Sequence, residues 1–354
     1  MLFPIFLELV PVVLIGGNDM LNFAIAGFGG LGKVHFNNVL ALERERGDIR
    51  LTSICDIDES RFIEAVATNL GGSTLQMDLS CYNLYTDFNE MLEKEPLDFI
   101  ITALPTYLHE KYAVMALEKG LHVFSEKPMA RTLAQCNNMI RKAQESNKRL
   151  MIGQCLRYWP EYTTLKRFLD SGEFGKVVRA EFSRYSPTPT WSCNNWLMDF
   201  EKSGCAPLDL HIHDIDCINW MFGVPNAVSS RATNSISKYD SIITTYHYDD
   251  KLVTSVCDWG MANSYPFQMV FMIRLEKAVI QLKDNVLMIY PDNGEAYSPE
   301  VVAGSAYANE LNDFIDCISQ NKELSVVTPE SAMLSVKIAL AEMESAEKGE
   351  MVNV

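Results

Sequence analysis

The feature that most constrains this chain is a glycine-rich run directly after a short apolar strand pattern and at the start of a predicted helix, Gly27-Phe28-Gly29-Gly30-Leu31-Gly32. In the pattern G-x-G-x-x-G, the first glycine permits a tight turn and the second lets a pyrophosphate approach the backbone. The third lets the helix pack closely on the strand, and the helix N-terminus offers N–H groups to the anion. The run predicts a dinucleotide-binding turn, with cofactor contacts from Gly27, Phe28, Gly29, Gly30 and Leu31.

An acidic residue stands where such a turn requires one. Asp56 follows the second predicted strand, and a carboxylate there accepts hydrogen bonds from the ribose hydroxyls of an adenosine. Because it would also repel a 2′-phosphate, NAD is favoured over NADP, although Arg61 leaves NADP open. We therefore expect Asp56, Ile57 and Arg61 to contact the cofactor.

Strand and helix patterns alternate from Met20 to about residue 152. Strands are predicted at 23–26, 50–55, 97–102, 121–124 and 150–152, and helices at about 30–45, 58–70, 108–119 and 130–146. Such alternation predicts an α/β Rossmann domain, a doubly wound parallel sheet covered by helices on both faces, over 20–152.

The pattern changes after residue 152. Strands are predicted at 177–185, 241–248, 251–259, 268–276 and 278–282, with little helix between them. They predict an α+β domain over 153–306 with a large, mostly antiparallel open sheet. Two amphipathic helices at 307–319 and 329–348 would make residues 307–354 a segment that packs back on the chain.

Residues 1–19 form an apolar leader without a basic residue, since the first Lys or Arg of the chain is Lys33. A secretory signal needs a basic region first, and the run is too short to span a bilayer. We expect an upstream start assigned in error, with translation beginning at Met20. A weak membrane or export segment is the alternative.

Charge and cysteine usage exclude several classes of protein. Lys and Arg number 30 against 46 Asp and Glu, a net charge of −16, so neither a nucleic acid nor an anionic membrane is an expected partner. Nine scattered cysteines contain no C-x-x-C pair, which favours reduced thiols in a cytoplasmic protein over a disulfide framework or a zinc site.

Four further motifs occur in order: Ala103-Leu104-Pro105-Thr106-Tyr107-Leu108-His109, Ser125-Glu126-Lys127-Pro128, Gly153-Gln154-Cys155-Leu156-Arg157-Tyr158 and Leu208-Asp209-Leu210-His211-Ile212-His213-Asp214-Ile215-Asp216. Together with the glycine turn they resemble the glucose–fructose oxidoreductase / inositol dehydrogenase / MocA family, from Met20 to the C-terminus. One departure is His211, where that family commonly has glycine.

The resemblance implies a catalytic trio of Lys127, Asp209 and His213, and a cis peptide bond before Pro128. It implies a secondary alcohol or ketone of a sugar or cyclic polyol as substrate, and a homodimer or homotetramer formed through the open sheet face. It also extends the cofactor contacts to Ala103, Leu104, Pro105, His109, Glu126 and Lys127.

Chemistry favours His213 as the acid/base, because an imidazole with an ordinary pKa near 6.5 exchanges protons near neutrality. Asp209 lies four residues before it and shares its helix face, so this carboxylate would orient the substrate or the imidazole. Lys127 would be a hydroxyl donor or proton relay, with Lys127 as the base the alternative. His211 and His213 point to opposite sides of a helix, so no metal site is expected.

The remaining candidates are polar or aromatic residues suited to a polyhydroxylated ring. Arg157, Tyr158 and Trp196 are predicted to bind substrate with the catalytic trio, whereas Trp159 and Trp191 fit the core or the sugar equally well. For His109, contact with the cofactor and a capping or packing role are both open. His35 and His122 are expected at the surface or in the core.

Three functions follow from these features. The first is an NAD(P)-dependent sugar or cyclic-polyol dehydrogenase. The second is an NAD-dependent glycosidase of the same fold, which oxidises its substrate transiently. The third is a catalytically inactive dinucleotide-binding regulator.

Overall fold

The computed structural model describes residues 20–63 and 77–354, and six short strands form its first sheet. All neighbouring strands are parallel and their order, β3-β2-β1-β4-β5-β6, is that of a doubly wound nucleotide-binding sheet. The predicted Rossmann architecture is confirmed. The strands are β1 Leu21–Ala26, β2 Ile49–Cys55, β3 Asn83–Tyr85, β4 Phe99–Thr102, β5 His122–Glu126 and β6 Leu150–Gly153.

Helices cover this sheet, and their ends follow capping chemistry. Thr132 caps α4 in a capping box with Gln135, which explains why α4 begins at Leu133 rather than near residue 130. The predicted helix at 58–70 begins as a 3-10 turn at Glu59–Phe62, and most of its remainder lies outside the described residues. The helices are α1 Gly30–Arg46, α2 Phe88–Lys94, α3 His109–Glu118 and α4 Leu133–Ser146.

Eight strands form the second sheet, in the order β13-β12-β11-β7-β10-β9-β8-β14. Every neighbouring pair is antiparallel except β7 and β10, so the prediction of a mostly antiparallel sheet is confirmed. The strands are β7 Val177–Pro187, β8 Ala227–Thr233, β9 Ser241–His247, β10 Leu252–Met261, β11 Gln268–Leu275, β12 Ala278–Lys283, β13 Val286–Pro291 and β14 Val352–Asn353.

Five more helices follow the first sheet in the described part of the chain. A π-helical turn, Pro207–His211, runs directly into α7, so one continuous helical segment carries the D-x-x-x-H motif. Helix α8 packs against α1 of the first sheet, whereas α9 packs against α7, β8 and α4. These helices are α5 Pro160–Ser171, α6 Phe200–Ser203, α7 Ile212–Phe222, α8 Ala306–Ser319 and α9 Pro329–Lys348.

The nine cysteines are free thiols, and seven of them are buried. Within the described ranges, no helix is both long and apolar enough to cross a membrane. The apolar leader predicted at 1–19 lies outside the described residues.

Candidate active site

The glycine turn forms a cradle in which two positions, Gly27 and Gly32, admit only glycine. A Cβ on Gly27 would overlap the carbonyl oxygen of Ala103, and a Cβ on Gly32 would overlap the carbonyl oxygen of Gly27. A Cβ on Gly29 would meet no atom within 4 Å. Gly29 is also the N-cap of α1, and no side chain bonds to the helix N-terminus there. An open, uncapped helix start fits a dinucleotide pyrophosphate.

Asp56 is fixed beside this cradle. The N–H of Phe28 donates to Asp56 Oδ2 at 2.7 Å, and the N–H of Asp58 donates to Oδ1 at 3.0 Å. Phe28 itself is fully buried and offers only its backbone, whereas Ile57 is 89% exposed. Arg61 is held by Asp58, with Arg61 Nε 3.3 Å from Asp58 Oδ2. The geometry suits a ribose at Asp56 and leaves the Arg61 cation engaged with a neighbouring carboxylate.

His109 links the two loops at the carboxyl ends of β4 and β5. Its Nε2 lies 2.7 Å from the carbonyl oxygen of Leu104, and its Nδ1 lies 2.7 Å from that of Pro128. The side chain is buried, and the ring bridges the two loops. This placement favours the packing role for His109, and its predicted contact with the cofactor stays a prediction. The Lys127–Pro128 bond is cis, as the resemblance implied.

The loop after β5 brings Lys127 against the π-helical turn. Lys127 Nζ donates to the backbone carbonyl of Asp209 at 2.8 Å, and lies 3.2 Å from its carboxylate Oδ1. The two side chains are 15% and 22% exposed, so both reach solvent from a largely enclosed position. An ammonium and a carboxylate thus meet at the carboxyl edge of the first sheet, where ligands of doubly wound folds bind.

His213 follows on the same helical segment. Its Nδ1 is buried without a hydrogen-bond partner, and the ring as a whole is partly exposed. Burial lowers the pKa of His213 well below its usual value, and the positive charges of Lys127 and Arg184 lower it further. The structure therefore brings Lys127, Asp209 and His213 together, and the imidazole is neutral near pH 7. Asp209 contacts Lys127, and no hydrogen bond joins it to His213.

Two buried ion pairs hold the segment in place. Arg184 on β7 contacts both carboxylate oxygens of Asp214, at 2.8 and 3.0 Å. Arg157 contacts both oxygens of Asp216 at 2.8 Å, and a third N–H donates to the carbonyl of Val326. Bidentate pairs of this kind fix orientation as well as charge.

Arg157 and Tyr158 are engaged within the protein. The guanidinium of Arg157 is 4% exposed, and three of its N–H groups are bonded to Asp216 and Val326. The hydroxyl of Tyr158 donates to Asp313 at 2.5 Å, and the side chain is buried. Both residues tie the short turn after β6 to neighbouring elements, and their predicted contacts with substrate stay predictions.

Other predicted residues divide between core and surface. The carboxylate of Glu126 is buried and bonded to His35 and to the Lys127 backbone N–H, and the predicted cofactor contact of this residue stays a prediction. Trp159 packs edge-on against Tyr307 and belongs to the core. Trp196 is partly buried in the 3-10 stretch before α6, and its predicted substrate contact stays a prediction.

The departure at His211 has a structural explanation. His211 is fully buried, and its Nε2 lies 3.1 Å from Glu342 Oε2 on α9 and 3.4 Å from the hydroxyl of Tyr246. The residue that replaces glycine thus joins the D-x-x-x-H segment to the C-terminal helix. Sequence reasoning missed this contact, and it also missed the Arg184–Asp214 pair. The signal for the latter was two aspartates in a helix that is rich in apolar residues, since buried carboxylates need partners.

Comparison with known proteins identifies the family. Residues 21–154 match the oxidoreductase family with an NAD-binding Rossmann fold, and residues 162–281 match the GFO/IDH/MocA C-terminal domain. The chain belongs to the GFO/IDH/MocA oxidoreductase family. Its first domain is therefore an NAD-binding Rossmann domain, in agreement with the cradle at Gly27 and Gly32.

Several proteins of known name are similar to it. A 2,7-anhydro-N-acetylneuraminate hydratase of Mediterraneibacter gnavus is 28% identical over 59% of this chain and 57% of its own length. An inositol 2-dehydrogenase of Salmonella typhimurium is 27% identical over 55% and 54%. These matches span little more than half of each relative. A levoglucosan dehydrogenase solved with NADH and levoglucosan shares the fold, with a TM-score of 0.81, 18% identity, and coverage of 95% of this chain and 100% of that one.

Proposed function

We propose that this protein is an NAD-dependent dehydrogenase that oxidises a secondary alcohol of a sugar or cyclic polyol, or reduces the corresponding ketone. The contact of Lys127 Nζ with Asp209, beside a neutral His213, carries the proposal. The relatives named inositol 2-dehydrogenase and levoglucosan dehydrogenase support the class of substrate.

His213 serves as the acid/base in this proposal. Removing a hydride from an alcohol carbon leaves the hydroxyl proton, which a neutral imidazole accepts. NAD, when bound, supplies the hydride acceptor. Lys127 donates a hydrogen bond to the substrate oxygen and stabilises negative charge there, and Asp209 orients the ammonium. Lys127 as the base is the alternative assignment.

NAD is the proposed cofactor, with NADP disfavoured. The Asp56 carboxylate accepts two backbone N–H groups and is held in place near the adenosine position. A fixed negative charge there repels a 2′-phosphate, and the pairing of Arg61 with Asp58 opposes recruitment of Arg61 to that phosphate.

A screen for NADH formation tests the proposal directly. Purified protein is mixed with NAD or NADP and a panel of inositols, aldoses and anhydrosugars, and absorbance of the reduced cofactor is followed. Turnover that prefers NAD, and that Lys127→Ala abolishes, is the expected result. Lys94→Ala is the matched control, because Lys94 is exposed and pairs with Glu90 on the surface of α2.

A second candidate has a specific observation behind it, the relative named as a hydratase. Addition or loss of water involves no net redox change, so an enzyme of this type, or a glycosidase, would use its NAD only transiently. Such a protein would turn over without added cofactor and would keep NAD through purification. Tight NAD binding with no reaction of either kind would instead indicate a regulator.

Self-association through the open face of the second sheet is also proposed. Apolar side chains alternate towards solvent across adjacent strands, with Ile243 and Leu252 more than half exposed and Val256 and Met272 partly so. A second copy that covered this face would remove them from water. Analytical ultracentrifugation compares the oligomeric state of wild type with that of Leu252→Asp. The variant is expected to dissociate.

A further inference from the structure

A buried cluster lies behind Lys127, and no step of the proposed reaction uses it. It consists of His35 on α1, Glu126 at the end of β5 and Glu310 on α8, which we call the buried triad. One nitrogen or oxygen atom of each lies within 4.8 Å of the others. His35 and Glu310 are 0% exposed and Glu126 is 3% exposed. Ionisable groups so far from water need partners.

The two carboxyl groups of the triad differ in the hydrogen bonds that they accept. Glu126 Oε1 lies 2.6 Å from His35 Nε2, and Glu126 Oε2 accepts the backbone N–H of Lys127 at 3.0 Å. Neither oxygen of Glu310 has a hydrogen-bond partner. Donors favour the ionised form of a carboxyl group, and burial without donors favours the protonated form. The negative charge therefore belongs on Glu126 and a proton on Glu310.

The surroundings of Glu310 agree with this assignment. Burial raises its pKa well above the usual value, and the negative charge of Glu126 raises it further. Further ionisable groups that interact with Glu310 are the thiol of Cys155 and the phenols of Tyr158 and Tyr307. None of these groups carries a positive charge, and none of them donates a hydrogen bond to Glu310.

A proton fits the triad better than a metal ion does. Two ligands bound to one ion at about 2.0–2.2 Å lie about 3 Å or more apart. The 2.6 Å separation of His35 Nε2 and Glu126 Oε1 is shorter than that and is an ordinary charge-assisted hydrogen bond.

The triad reaches Lys127 through Glu126. Gly153 on β6 packs against the Glu126 carboxylate, where a Cβ would come within 3.2 Å of Oε1, so this side chain has little freedom. The backbone N–H of Lys127 is bonded to the same carboxylate, and the Lys127 ammonium is bonded to Asp209.

We propose that Glu310 is a positioning residue. It is a neutral carboxylic acid whose proton faces Glu126. In this form it keeps Glu126, and with it the Lys127 backbone, in the geometry that hydride transfer requires. The claim that Glu310 positions Lys127 rests on the proposed dehydrogenase activity, whereas the claim that Glu310 is protonated does not. A second ionised carboxylate in the triad would repel Glu126 and disturb its bond to Lys127.

Protonation is tested on the full-length protein without substrate. The infrared spectrum near neutral pH is compared between wild type and Glu310→Gln, which keeps the size and neutrality of the protonated side chain. The wild type is expected to have a carboxylic-acid carbonyl band that the variant lacks. Spectra of wild type and variant that do not differ in this band would overturn the proposal. So would one bound metal ion per wild-type chain that Glu310→Gln removes, measured by elemental analysis.

Positioning is tested by comparing Glu310→Ala with Glu310→Gln. The alanine variant is expected to lose about 10- to 100-fold in kcat with NAD affinity within threefold of wild type, and glutamine is expected to restore kcat. Hydrogen exchange at the Lys127 amide should accelerate in the alanine variant and return to the wild-type rate in the glutamine variant. An alanine variant with wild-type kcat and exchange overturns the positioning role. If wild type turns over no substrate, the proposed activity fails, and the exchange and infrared results still decide the inference.

Discussion

The ammonium group of Lys127 contacts Asp209 twice, through the backbone carbonyl oxygen at 2.8 Å and the carboxylate Oδ1 at 3.2 Å. One residue follows a strand of the first sheet, and the other lies in the π-helical turn that leads into α7. The contact joins the NAD-binding domain to the segment that carries His213. In the proposed reaction, a substrate oxygen that enters between them would meet a hydrogen-bond donor, an acceptor and a proton acceptor together.

Loss of the Lys127 side chain should abolish most activity. In Lys127→Ala, kcat is expected to fall by about 10²- to 10⁴-fold, because a positioned proton donor is lost from the substrate oxygen. Steady-state kinetics on the substrate found in the screen measure it, with Lys94→Ala as the surface control. A kcat within threefold of wild type in Lys127→Ala would remove Lys127 from the proposed mechanism.

The titration of His213 should respond to its neighbour. Protonation of His213 is opposed first by burial and then by the charges of Lys127 and Arg184. Removal of one positive charge in Lys127→Met favours the imidazolium, so the pKa of His213 should rise towards its ordinary value. NMR of the labelled imidazole measures this without substrate, and an unchanged pKa would mean that the two groups do not interact.

The glycine cradle offers a matched pair of substitutions. Gly32→Ala should destabilise the fold by about 1–3 kcal/mol or more, because its Cβ would overlap the Gly27 carbonyl. Gly29→Ala meets no atom and should fold normally, yet it should weaken NAD binding by blocking the pyrophosphate. Urea unfolding and NAD titration separate the two effects. Equal NAD affinity in Gly29→Ala and wild type would contradict the assignment of the cradle.

Cofactor choice should shift when Arg61 is released. Asp58→Ala removes the carboxylate that pairs with Arg61 Nε, so this cation becomes available to a 2′-phosphate. Affinity for NADP is expected to rise about two- to fivefold, the size of a surface ion pair, with little change for NAD. Parallel titrations with both cofactors measure the ratio, and Asp78→Ala, another exposed aspartate, is the control. An unchanged ratio would show that Arg61 does not reach the cofactor.

Stability should depend on pH through His122. Its Nδ1 accepts the backbone N–H of Arg149 at 2.9 Å, and burial, then the charges of Lys148 and Arg149, lower its pKa to about 4. Below pH 6.5 the unfolded chain binds a proton here that the folded chain does not. The contribution of neutral His122 to the free energy of unfolding is therefore fully present above pH 6.5. It decreases as the pH falls towards 4, by up to about 1.4 kcal/mol per pH unit.

The comparison of wild type with His122→Asn isolates this contribution. The asparagine side-chain oxygen also accepts a hydrogen bond and does not titrate in this range. Urea unfolding is measured at pH 7, 6 and 5. As the pH falls, the free energy of unfolding of wild type should decrease relative to that of the variant. A difference that stays constant with pH would exclude His122 as the titrating group.

The sequence predicts most of the fold because local chemistry decides it. The glycine turn, the alternation of strands and helices, and the order of the motifs place Lys127 at a strand end and Asp209 before His213. Two elements of the first domain escaped prediction. Strand β3 has three residues and α2 has seven, too few for a periodic pattern to stand out.

Partners far apart in sequence could not be predicted. Arg157 follows a strand end, as a substrate ligand would, yet its partner Asp216 is on α7 and takes up its donors. Glu310 lies on a C-terminal helix whose amphipathic pattern gives no sign of the cluster it enters. In each case the surroundings of a buried polar group come from residues that only tertiary packing brings near it.

The strand β7, Val177–Pro187, lies between β10 and β11 in the second sheet, and both of these strands follow it much later in the chain, from Leu252 and Gln268. A ribosome releases the six strands of the first sheet before any neighbour of β7 exists. Domains of this size fold in the order of their synthesis. The nascent chain can therefore complete its cofactor cradle early, and α8 closes the space behind Lys127 only after β7 to β13 have been synthesised.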